Sequence, residues 1–231
     1  MAKQHIIKFT GIGSAFNPAF GNTSAYFIKG ETLVLLDCGE TVFMRIQKLA
    51  ASKRIKRIIV ILTHMHSDHI GSLGTLISYC FYVMHKPVEV LYPAKIVNRF
   101  LQSAGIREGQ YTYYHAAPKT WGFSVVPHKV FHVEGMACFG YEISLNNTTF
   151  YYSGDADDIP DKVLERFLNN DIDVLFHETT LDKNTKEHCP YTTLEQKIPF
   201  AERKRVYCMH LASSACITVL KKKGFQIPDV V

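Results

Sequence analysis

Three histidines and an aspartate fall within six positions in HMHSDH at 64–69, directly after the apolar run RIIVILT at 57–63. His64 and His66 are two residues apart, so at the end of a strand their side chains leave the chain on the same side. Asp68 and His69 follow on the turn beyond, and Gly71 leaves room for backbone to approach or for a helix to begin. Imidazole nitrogen with carboxylate oxygen suits zinc, manganese or iron better than calcium, which takes oxygen ligands alone. An isolated HxH pair is most often two surface histidines. HxHxDH is far more specific, because chance rarely supplies four ligand side chains in so short a span behind a buried strand.

Similar groups recur downstream. Asp155 follows TTFYYSG, His177 and Glu178 close IDVLF, and His210 closes RVYCM. The segment FSVVPHKVFHV reads as a strand carrying both His128 and His132. Acids and imidazoles at the ends of several strands can converge on one edge of a layered protein, where loops build sites. A ligand set drawn from both halves of the chain would place the metal site between them. His177 also fits a strand-end histidine satisfied by hydrogen bonds, and Cys208, two residues before His210, fits a core position, the commoner fate of a free cysteine.

The elements needed to hold these groups can be read from pattern. HIIKFT, then TSAYFI and TLVLLD around a Lys29-Gly30-Glu31 turn, are rich in β-branched and aromatic residues and predict strands. Apolar residues Val42, Phe43, Ile46, Leu49 and Ala50 recur at helical spacing over 41–52. RIIVILT is continuously apolar, as expected of a strand covered on both faces. A helix over 73–83, a strand over 88–91 and a helix over 94–104 stopping at Gly105 follow, and 106–120 carries little signal. The second half opens with strands, two of them joined by Asn146-Asn147, a strong hairpin turn. Helices over 161–168, 193–201 and 214–222 then alternate with the strands ending at Glu178 and His210. Both halves run strands first, then alternating helices and strands, without a sequence repeat. The pattern predicts an α/β protein, an αββα sandwich with two similar halves, as a single domain over 1–231.

Composition narrows the class. With 231 residues, 47% hydrophobic and 20% charged, the chain can bury a substantial core without covalent staples. Its six cysteines form no CxxC pair and the start MAKQHIIKF lacks a signal-peptide core, which predicts reduced thiols in a cytoplasmic protein. No run approaches the roughly 18 to 20 apolar residues of a membrane span. The formal net charge of +5 favours a phosphate-bearing substrate through long-range attraction but decides nothing alone. Tyr79, Phe81, Tyr82, Tyr111, Tyr113 and Tyr114 are candidates for base stacking, with core packing or a dimer contact the commoner role.

Taken together, HMHSDH, the later His132, SGD ending at Asp155 and the final His210 resemble the metallo-β-lactamase superfamily along the whole chain. The resemblance implies a metal-dependent hydrolase with two metals, usually zinc: His64, His66 and His132 on one, Asp68, His69 and His210 on the other, Asp155 bridging. It selects His132 over His128, since GMACFGYEI follows His132 as in that family. A bridging carboxylate in place of cysteine points to the phosphodiesterase and other hydrolase branches. Within the superfamily, GSAF at 13–16, NTS at 22–24, LDCGE at 36–40, HETT at 177–180, and His188 with Thr192 nearby are similar to the successive motifs of tRNase Z. That similarity implies that Glu178 orients His188, that His188 donates a proton to the leaving oxygen, that Asp68 handles the attacking water, and that Asn22 contributes to substrate binding. A homodimer is common among similar proteins.

Departures from the tRNase Z pattern bear on the substrate. Only 22 residues separate His132 from Asp155, too few for the arm that grips tRNA. NPAFG at 17–21 lacks the basic residues expected before Asn22, and Cys-Pro-Tyr follows His188 where the family has a small hydroxyl residue. The resemblance therefore implies a smaller nucleotide or RNA substrate, either a short RNA or a cyclic mononucleotide; compact relatives of this branch, phage anti-Pycsar proteins among them, open cyclic mononucleotides on a similar core. The alternative reading is hydrolysis of a thioester, lactone or amide, which needs no Glu178–His188 pair.

Overall fold

A computed structural model describes residues 6–231, so His5 and the beginning of the expected HIIKFT strand lie outside the described residues. The first sheet runs in sequence order: β1 (Lys8–Gly11), β2 (Ser24–Lys29), β3 (Thr32–Leu36), β4 (Arg57–Ile61), β5 (Val88–Leu91) and β6 (Thr112–Tyr114). Its first three strands are antiparallel and β3 to β6 are parallel. The second sheet has β7 (Ser124–Val130), β8 (Cys138–Leu145), β9 (Thr148–Tyr152), β10 (Val174–Glu178) and β11 (Val206–Met209), in spatial order β11-β10-β9-β8-β7. Here β7 to β9 are antiparallel and β9 to β11 parallel.

Alternation along the strands sorts side chains into layers. Val34 and Leu36 of β3 and Ile59 and Ile61 of β4 meet Tyr141, Ile143, Phe150, Tyr152 and Phe176 of the second sheet in one core. The intervening Leu33, Leu35, Ile58 and Val60 face the other way, against α1 (Val42–Ala51), α3 (Leu73–Tyr79) and α4 (Ile96–Ser103). Residues of α5 (Asp161–Leu168), α6 (Tyr191–Lys197) and α7 (Ser214–Lys222) pack onto the second sheet through Val163, Phe167, Leu194, Cys216 and Leu220. The result is the expected αββα sandwich, each sheet covered by helices on its outer face. Near the strand ends the Phe139 backbone N–H donates to the Thr63 carbonyl at 2.9 Å and the Tyr141 hydroxyl to the Leu62 carbonyl at 2.7 Å, tying the halves together.

Four local expectations are corrected. The helix expected over 73–83 is α3 followed by a π-helical turn, Cys80–Met84, that ends at left-handed His85. The helix expected over 193–201 stops at Lys197, because Pro199 forces Ile198 into an extended conformation and has no N–H to donate; a 3₁₀ stretch, Phe200–Arg205, follows. The poorly patterned 106–120 holds β6, whose three residues are too few to show a period. His132 lies just past β7 rather than on it. The Asn146-Asn147 turn is as read, both residues having positive φ. All six cysteines are free and buried. Among the described residues no helix is long and apolar enough to cross a membrane.

Candidate metal centre and active-site cleft

The carboxyl ends of β4, β9, β10 and β11 open onto one edge of the sandwich, where parallel strands of open sheets usually present their ligands. His64 and His66 come from the loop after β4. Asp68 and His69 occupy the short helix α2 (Ser67–Ile70), whose tight turn brings both groups back toward the strand end. Asp155 follows β9, and His210 follows β11 in a left-handed conformation with φ 59°, its N–H donating to Thr23 Oγ1 at 3.1 Å.

These side chains form two donor sets that share a carboxylate. His64, His66, His132 and Asp155 make one, and Asp68, His69, Asp155 and His210 the other; in each, all the donor atoms lie within 4.8 Å of one another. His69 Nε2 is 3.2 Å from Asp155 Oδ1, and His210 Nε2 is 3.2 Å from Asp68 Oδ2 and 3.3 Å from Asp155 Oδ2. His66 Nδ1 is 3.1 Å from both His64 Nε2 and His132 Nε2.

The far nitrogens of three rings have partners of their own. His64 Nδ1 is 3.0 Å from Thr63 Oγ1, His69 Nδ1 is 2.9 Å from Asp37 Oδ2, and His132 Nδ1 is 2.6 Å from the Glu187 carbonyl. Such contacts fix the tautomer and turn Nε2 inward, as outer partners of metal-ligating histidines do. The donors therefore fit a divalent metal: the buried His69 Nε2 and Asp155 Oδ1 have no hydrogen-bond partner, although buried polar atoms normally find one.

The electrostatics agree with ionised carboxylates. Burial alone would raise Asp155, but His210 and His69 hold it well below the usual carboxylate range. Asp68, also opposed by burial, is lowered by the His210 and His69 imidazoles beside it. Burial lowers His64 and His132, keeping their nitrogens free as donors.

Beside the metal set, Glu178 is 1% exposed and its Oε1 accepts from the Ala156 N–H at 2.9 Å and faces His188 Nδ1 at 2.9 Å. Burial by itself would lower His188; the hydrogen bond and charge of Glu178 overcome it and push the imidazole up to about 9. The cleft above these groups has a volume of about 510 Å³, and neither lysine nor arginine lines it among the described residues.

The structure thus brings His64, His66, Asp68, His69, His132, Asp155, Glu178, His188 and His210 together. It places other candidates elsewhere. Asn22 is 4% exposed and does not line the cleft; its side-chain oxygen accepts from the Thr41 N–H at 2.7 Å, bracing the loop before α1. His128 lies against Glu142, 3.6 Å away, and His177 turns Nδ1 toward the Glu178 carbonyl at 2.7 Å. Cys208 is core, its thiol pushed up to about 12 by burial. The aromatic candidates lie outside the cleft: Tyr79 packs on Phe43, Tyr111 bonds Asn98 and Tyr114 packs on Trp121.

One residue of the site has no role in the sequence reading. Asp37, fully buried, takes the Thr63 N–H at 2.8 Å, the Thr63 hydroxyl at 2.9 Å and His69 Nδ1 at 2.9 Å, so it sets the direction of a ligand ring without touching the metal positions. A lone acid closing the apolar strand TLVLL was the available signal.

Comparison with known proteins agrees with this architecture. The family model described as "Anti-Pycsar protein Apyc1" matches residues 5–226. An anti-Pycsar protein Apyc1 of Paenibacillus harenae is 24% identical over 225 residues, 88% of each chain. Among solved structures, a metallo-β-lactamase fold protein of Bacillus subtilis superposes with a TM-score of 0.74 at 17% identity, covering 94% of this chain and 90% of that one. The short form of human tRNase Z superposes with a TM-score of 0.66 at 20% identity, covering 90% and 93%. At such identities the structural likenesses establish the metallo-β-lactamase fold.

Proposed function

The chain belongs to the anti-Pycsar protein Apyc1 family, and from that premise we propose that it is a metal-dependent phosphodiesterase that opens cyclic mononucleotides. The observation that carries the reading is the Glu178–His188 pair set beside two donor sets sharing Asp155. We take the whole chain as one catalytic domain working in the cytoplasm, where six free, buried cysteines are at home.

His64, His66, His132 and Asp155 would hold one zinc ion, and Asp68, His69, Asp155 and His210 a second, with manganese or iron compatible with the same donors. When bound, the pair would supply Lewis-acid stabilisation of the phosphoryl charge and make the attacking water more acidic. Asp68, on the cleft lining, would orient that water and help take its proton. His188, with Nδ1 committed to Glu178, offers Nε2 to the leaving oxygen and protonates it as the P–O bond breaks. Glu178 keeps the proton on the ring and holds the ring's angle.

Three features favour a small substrate. The volume of about 510 Å³ lies in the range of small-molecule pockets, about 300–1,000 Å³. Among the described residues, the lining holds no lysine or arginine of the kind that tracks a polynucleotide backbone. The connection from His132 to Asp155 is filled by the end of one hairpin, β8 and β9, and leaves no projecting arm.

The test is a competition screen on metal-loaded protein, comparing 2′,3′- and 3′,5′-cyclic mononucleotides with 3′-extended tRNA and a short RNA. Preference for a cyclic nucleotide is expected. Cleavage of tRNA with cyclic nucleotides untouched would overturn the reading, as would thioester cleavage that survives loss of His188.

A further inference from the structure

Phe16 is 97% exposed at the lip of the catalytic cleft. Single exposed apolar side chains are common and need no explanation, but the backbone under this one is unusually well tied. The Asn17 N–H donates to the Ser14 carbonyl at 3.0 Å, closing a turn with Ala15 and Phe16 at its two central positions. The Asn17 side-chain amide and the Ser14 N–H both donate to the Leu211 carbonyl, at 3.0 and 3.2 Å. Leu211 follows His210 directly, so the turn is fastened to the segment carrying a proposed metal ligand. The ring thus stands at the rim of the cleft on a tied backbone, and among the described residues it has no aromatic partner. Ser14, Ala15 and Phe16 form one wall, with Val133 and Glu187 on the lining as well.

We propose that Phe16 is a stacking platform for the nucleobase and so the residue that makes the cleft prefer a nucleotide over other phosphodiesters. The proposal rests on the phosphodiesterase reading above. An aromatic face accepts any base, because every base has a π-face. The cleft should therefore discriminate strongly for the presence of a base and weakly among bases.

Two measurements test this. In steady-state kinetics of the metal-loaded enzyme, Phe16→Ala should lower the kcat/KM ratio of 3′,5′-cyclic AMP to base-free cyclic ribose phosphate about tenfold, chiefly through KM. Phe16→Trp should keep the ratio. Independently of turnover, the indole of Phe16→Trp should be quenched by a cyclic AMP phosphorothioate and not by base-free cyclic ribose phosphate. An unchanged ratio in Phe16→Ala, or equal quenching by both ligands, overturns the proposal. Quenching without turnover of any cyclic nucleotide would leave the stacking in place and sink the proposed function instead.

Discussion

Removing the His188 imidazole separates proton donation from the rest of the site. His188→Ala deletes the group that sits 2.9 Å from Glu178 Oε1 and leaves both metal donor sets whole. General acid catalysis is worth roughly 10²–10⁴-fold, so kcat on 3′,5′-cyclic AMP, whose leaving oxygen is a poorly stabilised alkoxide, should fall by that factor. On bis(p-nitrophenyl) phosphate the leaving phenolate departs without a proton, and the fall should stay below about tenfold. The buried Glu178 loses one of its two partners and keeps the Ala156 N–H, so stability should drop by about 1–3 kcal/mol, the cost of leaving a buried acceptor short. Parallel kinetics on the two substrates, with a thermal melt of each protein, make the assay. Equal losses on both substrates would refute the assignment of His188 as acid, because a general disturbance of the site cannot tell leaving groups apart.

Other expectations follow from the same geometry. Stripping the metal with a chelator should lower the melting temperature, since a ligand at a hundred times its Kd stabilises by about 2.7 kcal/mol; add-back of zinc or manganese in a thermal-shift assay should restore it, and a melt indifferent to both would speak against the donor sets. Asp37→Asn should weaken metal binding about 10- to 100-fold, the usual effect of losing an outer partner of a ligand histidine, measured by competition with a chromophoric chelator; unchanged affinity would free His69 from Asp37. Gly39→Ala should abolish activity although Gly39 is not a ligand, because a Cβ there would lie 1.8 Å from the Asp68 carbonyl oxygen and force α2 to move; a fully active variant would show that Asp68 tolerates displacement.

Much of this protein is readable from residue order. Continuous apolar runs that end in His or Asp required buried strands with polar groups at their ends, because a charged ligand cannot sit inside the run without a partner. HMHSDH held its four groups within one turn of backbone, so local geometry alone made them neighbours. The αββα order followed from the same runs, since strands apolar on both faces need helices outside and a second sheet inside. The short His132 to Asp155 passage excluded an inserted arm by length alone.

Other features depend on contacts between residues far apart in sequence, which no local pattern encodes. Pattern placed His132 on a strand, yet it sits past the end of β7, where the Glu187 carbonyl, 55 residues on, accepts from its Nδ1. Asn22 matched a motif tied to substrate, but packing turned its amide onto Thr41. Asp37 stood in a quoted motif at the end of an apolar strand, but its role appears only where β3 and β4 pair and bring Thr63 and His69 to it. Ligand types and local spacing are covalent properties of the chain; the directions of the His69 and His132 rings are set by hydrogen bonds to Asp37 and to the Glu187 carbonyl, partners that only the tertiary fold brings to them.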